Sequence, residues 1–303
     1  MNVIEIENLT KSYGDVKAVD GVSFSVKKGS LFAFLGVNGA GKSTTINVLC
    51  SLIKKDGGKV IIDGMDIDKD ADKIKGEIGV VFQNGVLDGA LTVKENLTVR
   101  ASYYGLRGEE WKNRLKEISD KLDMGDVLSR PYAKLSGGQK RRADIARGII
   151  NKPKILFLDE PTTGLDPKTR QRIWEVVSQL MSEGTTIFLT THYMEEADVA
   201  DDVVIIDKGR VIATGTPQSL KARFSGEYVK IYSEKTDELD KITAGYDSVY
   251  EKGYYKLRMV NMIEAKKFIT ENADAICDFE VIKGNMDDVF LNATGRALEE
   301  AVE

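Results

Sequence analysis

Gly36-Val37-Asn38-Gly39-Ala40-Gly41-Lys42-Ser43-Thr44 is the stretch on which the reading of this 303-residue chain turns. An apolar run, Leu31 to Leu35, precedes it, and Ile46, Val48, Leu49 and Leu52 follow in a helical stretch. Strand, glycine-rich loop and helix, in that order, form the context in which a loop binds phosphate. Glycines let the backbone bend around an anion with its N–H groups turned inward, and the positive end of the helix dipole adds to the attraction. Lys42 then reaches the terminal phosphates, and the Ser43 hydroxyl can hold Mg²⁺. An ordinary glycine turn is the plainer alternative, but it requires neither flank.

Outward from this loop, strands and helices alternate. Val3, Ile4, Ile6 and Leu9 predict an opening strand, Lys11 to Asp15 a turn, and Ala18 to Val26 a second strand. By position alone Tyr13 is as well read as a core or cross-strand aromatic as not. Lys55-Asp56-Gly57-Gly58 turns into a strand over Lys59 to Asp63, and Ile78 to Phe82 is a short buried strand ending at Gln83. The texture then becomes helical over about 86–150. Thr92-Val93-Lys94-Glu95 has the spacing of a capping box, and Trp111, Leu115, Ile118 and Leu122 recur at three- and four-residue steps.

Alternation resumes with Ile155-Leu156-Phe157-Leu158, a continuous apolar run as expected of a parallel strand covered on both faces. Asp166-Pro167 starts the next helix, and Thr185 to Thr190 is a strand ending at Thr191-His192. Val203 to Ile206 and Arg210 to Ala213 form a hairpin around Lys208-Gly209, and Thr216-Pro217 caps a short helix reaching about Phe224. From Gly226 the pattern is strand, an ambiguous helix, two strands around Lys252-Gly253, a helix over Met262 to Glu271, a strand and a last helix from Asp287. The fold class is α/β, with a first domain over 1–224 and a small α+β domain over 225–303 that shows no catalytic spacing.

Composition bounds the partners. At 42% hydrophobic and 30% charged the chain can build a sizeable core, and a net charge of −5 gives no support to a nucleic-acid partner. Cys50 and Cys277 are far apart, so a disulfide framework is not expected and a reducing cytosol fits. The first residues lack the basic and apolar regions of a signal peptide. No apolar run approaches the roughly twenty residues needed to cross a bilayer. Direct membrane insertion is therefore not expected, and any membrane role must come through a partner.

The chemistry gathers at the strand end after Leu158. Downstream of a phosphate loop, Asp159 can hold Mg²⁺, directly or through water, and Glu160 can polarise an attacking water. Solvated acids at a strand end are the bland alternative. A second anion site tips the balance: Leu135-Ser136-Gly137-Gly138-Gln139 opens a helix with a hydroxyl, two glycines and free N–H groups.

A phosphate loop, LSGGQ and ILFLDE in one chain, in this order and at these separations, resemble the ABC-type ATPases over residues 1 to about 224. The resemblance implies a RecA-like core with an antiparallel β subdomain and a helical subdomain. It implies that Tyr13 stacks on adenine and that Gly36 to Thr44, including Asn38, Gly39, Ala40 and Gly41, cradle the phosphates. Gln83 then touches Mg²⁺ or the attacking water and faces a membrane partner. Ser136, Gly137, Gly138 and Gln139 form the signature that binds the terminal phosphate from an opposite subunit. Asp159 is the Walker B aspartate, Glu160 the general base, and His192 the switch that contacts the γ-phosphate. Asp166 lies in the loop crossing the dimer interface, and its role as a helix cap is equally physical. Thr191 to Ala197 and Met286 to Leu291 further resemble the daunorubicin-resistance branch of export ATPases. Val37 departs from the proline often found there, and Gly148 from a more usual alanine, which weakens its helix by about 0.5–1 kcal/mol.

The same resemblance implies an ATP-hydrolysing subunit with ATP and Mg²⁺ as cofactors. Two ATPs cement a head-to-tail pair of cassettes, most simply two copies of this chain, and the cycle powers a separate membrane permease. The subunit would sit peripherally on the cytoplasmic face of the cell membrane, with residues 87–91 and the helix to Tyr104 as docking surface. The C-terminal domain would support dimerisation or restrain the cassette. Two alternatives stand beside this reading: a soluble ATPase working on ribosomes or DNA, and a nucleotide-binding scaffold that does not hydrolyse.

Overall fold

The computed structural model describes residues 1–295 and divides the chain into a unit spanning Met1–Thr214 and a second beginning at Gly215. In the first unit, β1 (Asn2–Tyr13) and β2 (Val16–Lys27) form a long antiparallel hairpin, and β3 (Leu31–Leu35) leads into α1 (Lys42–Leu49). β4 (Gly57–Ile62), β5 (Met65–Asp66), α2 (Ala71–Glu77) and β6 (Ile78–Val81) follow. Three helices then run in succession: α3 (Val93–Tyr103), α4 (Gly108–Lys121) and α5 (Gly137–Gly148). The unit finishes with β7 (Ile155–Asp159), α6 (Pro167–Ser182), β8 (Thr186–Thr191), α7 (Met194–Asp198), β9 (Asp202–Asp207) and β10 (Arg210–Gly215).

These strands make two sheets. One is antiparallel in the order β2-β1-β4-β5; the other has the order β10-β9-β3-β8-β7-β6, parallel from β9 to β6. Every residue of β3, β7 and β8 is buried, which is why Leu31 to Leu35 and Ile155 to Leu158 read as unbroken apolar runs. Phe24 of β2 packs on Phe32, Phe34 and Phe188 at ring separations of 5.2, 5.2 and 6.0 Å, so one aromatic cluster joins the two sheets. The parallel register sets Leu35 beside Thr191, Asp159 beside Thr190 and Val81 beside Leu158. The carboxyl ends of four strands thus lie level, where open α/β sheets bind ligands.

The helical stretch holds itself by side chains that the sequence pattern identified. Thr92 and Glu95 form the full capping box of α3, and Trp111, Ile118 and Leu122 are buried. Arg114 donates to the carbonyls of Ile149 and Ile150, satisfying the end of α5. Gly148 has a packing reason: a Cβ there would lie 2.9 Å from Val81, and one at Gly79 only 2.0 Å from the Gly148 carbonyl oxygen. The cost in helix propensity is offset by the close approach of α5 to β6.

The second unit runs α8 (Pro217–Phe224), β11 (Glu227–Tyr232), α9 (Asp237–Thr243), β12 (Ser248–Glu251), β13 (Tyr254–Met259), α10 (Met262–Glu271), β14 (Phe279–Lys283) and α11 (Met286–Thr294). Its sheet has the order β12-β13-β11-β14, antiparallel throughout. Val229, Ile231, Leu257 and Met259 pack with Leu239 of α9 and Phe268 of α10 in one core. α8 packs on α11, with the Asn292 amide donating to the Phe224 carbonyl at 2.8 Å. α8 falls in the second unit, which begins about ten residues ahead of the boundary read from the change in element pattern. Residues 296–303 of the anticipated C-terminal domain lie outside the described residues.

Candidate functional site

The phosphate loop closes the gap between β3 and α1, and its neighbours hold it in shape. Gly41 has φ +107°, and a Cβ there would lie 2.4 Å from the Ala18 carbonyl oxygen, so only glycine fits. The turn between β9 and β10 braces the loop from the other side: Gly209 N–H donates to the Ala40 carbonyl at 2.9 Å. Asp20 N–H in turn donates to the Gly209 carbonyl at 2.8 Å, and Arg210 pairs with the Asp20 carboxylate at 2.7 Å. The first turn of α1 leaves the N–H groups of Lys42, Ser43 and Thr44 without intrahelical acceptors, directed at the loop.

The loop borders a cavity of about 410 Å³ that also takes in Tyr13, Ala18, Gln83 and Glu160. Tyr13 is 51% exposed at the end of β1, so it is neither a core nor a buried cross-strand aromatic. It stands on the cavity rim with Lys11 5.7 Å from its ring centre. Asn38, Gly39, Gly41, Ser43 and Thr44 line the same cavity. Ala40 is buried behind it, and Gly36 contributes its carbonyl to Lys42.

Glu160 is the point of convergence. Lys42 Nζ lies 3.2 Å from its Oε1 while donating to the carbonyls of Gly36 at 2.7 Å and Val37 at 3.2 Å. Gln83 Nε2 donates to Glu160 Oε2 at 3.1 Å, and the Thr163 hydroxyl donates to the same oxygen at 3.2 Å. His192 Nδ1 also stands 3.2 Å from Oε2 but off the line of a hydrogen bond, so the contact is one of proximity. Glu160 itself has φ +45°, a left-handed conformation that is costly for a non-glycine residue and is held by its N–H donating to Thr190.

The electrostatics follow from burial and these neighbours. Burial alone would raise the Glu160 carboxyl, but Lys42, with His192 second, more than offsets it and the group is held below its ordinary value. Burial pushes Lys42 down against the opposing pull of Glu160. Asp159 is raised, first by burial and then by the neighbouring Glu160 charge, although the Thr190 hydroxyl donates to it. Asp159 and Ser43 together offer a carboxylate and a hydroxyl at the end of β7 and the start of α1.

The structure does not bring Ser136, Gly137, Gly138, Gln139 or Asp166 to this cavity. Ser136 caps α5 with a complete capping box to Gln139, which occupies part of the polar capacity of both side chains. Asp166 caps α6 by accepting from Thr169 N–H at 3.0 Å. The two helix starts touch, since a Cβ on Gly138 would lie 2.7 Å from the Thr169 side chain.

Sequence reasoning missed Arg141. It is 6% exposed, and its guanidinium donates to the carbonyls of Pro161, Phe82 and Asp159 at 2.6, 2.5 and 3.0 Å. One side chain of the signature helix therefore ties the segments carrying Gln83, Asp159 and Glu160. The signal that could have found it is its position on the buried face of α5, one step along from Gly138, although Lys140-Arg141-Arg142 looks like a solvated charge run.

Comparison with known proteins gives one consistent answer. Residues 19–163 match the family model described as ABC transporter. The chain is 33% identical to the daunorubicin resistance ATP-binding protein DrrA2 of Streptomyces coeruleorubidus, over 98% of this chain and 96% of that protein. It is 35% identical to the Nod factor export ATP-binding protein I of Ralstonia nicotianae, over 98% of this chain and 95% of that one. Among solved structures it is similar to the dimeric post-hydrolysis state of the ATP-binding cassette MJ0796 bound to ADP and Pi. There the TM-score is 0.65 and the identity 30%, over 70% of this chain and 98% of that chain.

Proposed function

This chain belongs to the ATP-binding proteins of ABC transporters and is an ATPase, and on that premise we propose that it powers export through a separate membrane permease. The observation that carries the hydrolytic assignment is the meeting of Lys42 from the start of α1, Gln83 from beyond β6 and His192 from beyond β8 on the single carboxylate of Glu160. Tyr13 stacks on adenine at the rim, the loop N–H groups and Lys42 hold the phosphates, and Glu160 takes the proton of the attacking water. His192 contacts the terminal phosphate, and Gln83 orients the water or the metal. The oxygen donors Ser43, Asp159 and Gln83 suit a hard cation, and Mg²⁺ held there would neutralise charge on the β- and γ-phosphates.

Ser136 to Gln139 complete the site from a second cassette, most simply another copy of this chain. Their place outside the cavity supports that reading, and so does the dimeric relative with ADP and Pi. Asp166, at the start of α6 beside the signature helix, then lies at the junction of the two copies. ATP favours the closed dimer only by its higher affinity for that state, and phosphate release removes the charge that held it.

Relatives named for drug resistance and Nod factor export weigh for a permease partner over a ribosome or DNA. No helix among the described residues is long and apolar enough to cross a membrane. A groove of about 490 Å³ bordered by Leu52, Phe82, Arg100 and Tyr103 would take its cytoplasmic segment. Leu52 and Tyr103 are 54% and 77% exposed there, an apolar surface that needs a cover.

The test is Glu160→Gln. It should bind ATP, form a stable dimer and turn over about 100-fold or more slowly. Adding Ser136→Arg should abolish that dimer while leaving ATP binding by the single subunit intact. Near-normal hydrolysis by the first variant would remove Glu160 as base, and an unchanged dimer in the second would remove the shared site.

A further inference from the structure

The short helix α7 (Met194–Asp198) begins two residues after His192, and its two glutamates have opposite environments. Glu195 is exposed, whereas Glu196 is 2% exposed. A carboxyl this deep needs a reason, because burying an ionised carboxylate without a paired charge is costly. Among the described residues Glu196 makes no salt bridge. Its Oε1 accepts a hydrogen bond from the Thr162 hydroxyl, and its Oε2 is buried without a hydrogen-bond partner, close to the Thr191 side chain.

Those two threonines are placed where they matter. Thr162 is two residues beyond Glu160, in the turn whose next residue, Thr163, donates to the Glu160 carboxylate. Thr191 is the residue immediately before His192, and its hydroxyl accepts from Tyr193 N–H at 2.8 Å. Glu196 therefore touches the segment carrying the base on one side and the segment carrying the histidine on the other. We propose that Glu196 is a positioning residue that bridges Thr162 to Thr191 and so sets the separation of Glu160 and His192 during hydrolysis.

Oε1 already accepts from Thr162 at one end of the bridge, and Oε2 lies beside the Thr191 side chain at the other. Burial pushes the Glu196 carboxyl up from its ordinary value, against the pull of the Thr162 and Thr191 side chains. The cations that face it are Arg170 from α6 and Arg141 from α5, with His192 from the end of β8, and they do not overcome the burial. Glutamine has the same shape, an amide oxygen that can accept from Thr162 and an amide N–H that can donate to the Thr191 hydroxyl, which gives the inference a sharp test.

Three variants are measured for ATP binding, kcat and KM: Glu196→Gln, Glu196→Leu and Thr162→Val. Glu196→Gln should keep kcat within about twofold, while Glu196→Leu and Thr162→Val should each lower it about 10- to 100-fold with KM for ATP little changed. The double variant Glu196→Leu with Thr162→Val should be no worse than the poorer single one, as expected for two ends of one bridge. Full activity in Glu196→Leu, or Glu196→Gln as damaged as Glu196→Leu, overturns the proposal. If Glu196→Leu does not fold, Thr162→Val and Glu196→Gln decide it alone, since loss of kcat in the first with retention in the second is required. The inference rests on Glu160 as base, so Glu160→Gln is run alongside. A fast Glu160→Gln enzyme condemns that assignment, whereas a slow one beside a fast Glu196→Leu condemns only the bridge.

Discussion

At the scale of single residues, the site is a balance of burial against neighbouring charge. Glu160 is lowered below its ordinary 4.5 because Lys42 and His192 outweigh its burial. A lowered carboxylate is ionised at every pH above its ordinary range and gains its proton only as pH falls below that range. The kcat/KM profile for ATP should therefore show no acid limb from the base above about pH 5. An acid limb centred near pH 6 or higher would put another group in control. Glu160 and Asp159 were legible because they end an apolar run downstream of a phosphate loop in a chain that also carries a second anion site, and Lys42 because the glycines announce it. Glu196 and Arg141 were not. A polar residue inside a charged stretch carries no mark of burial until the neighbouring strands are in place.

At the scale of elements, the signature helix does more than present its first turn. α5 packs on β6 through Gly148 and Gly79, caps itself through Ser136 and Gln139, and sends Arg141 to three carbonyls at the strand ends. Arg141→Met should leave those carbonyls unpaired in a buried setting and cost about 3 kcal/mol or more of stability. It should also loosen Gln83 and Glu160 together. Equilibrium denaturation and turnover check this, and a variant of wild-type stability would show that water replaces the guanidinium. Long periodic helices such as α4 and α6 were readable from spacing alone. The seven residues of α2 bury only Ile74, and α7 is five residues long, so neither has a period to detect. Gly148 read as a weak point because helix propensity was visible and its packing against β6 was not.

At the scale of the whole molecule, the division into units changes where a cut should fall. Leu220 of α8 and Met286, Val289 and Phe290 of α11 are all buried, and their two helices pack together. A chain ending at Thr214 should stay soluble and bind ATP. One ending at Ser225 keeps α8 without its partner, and should bind a hydrophobic dye and aggregate more readily. If the shorter chain also assembles, hydrolyses and supports transport as the full one does, the second unit has no part in holding the pair together. Alternation, loop and signature gave away the first unit, while the boundary stayed hidden because Thr216-Pro217 looks like any helix start. The ion pair between Lys42 and Glu160 adds an interlock. On the proposed reading, the ammonium that would meet a triphosphate is the one paired with the carboxylate assigned as proton acceptor, so binding would exchange one partner for the other and free that carboxylate in the same step.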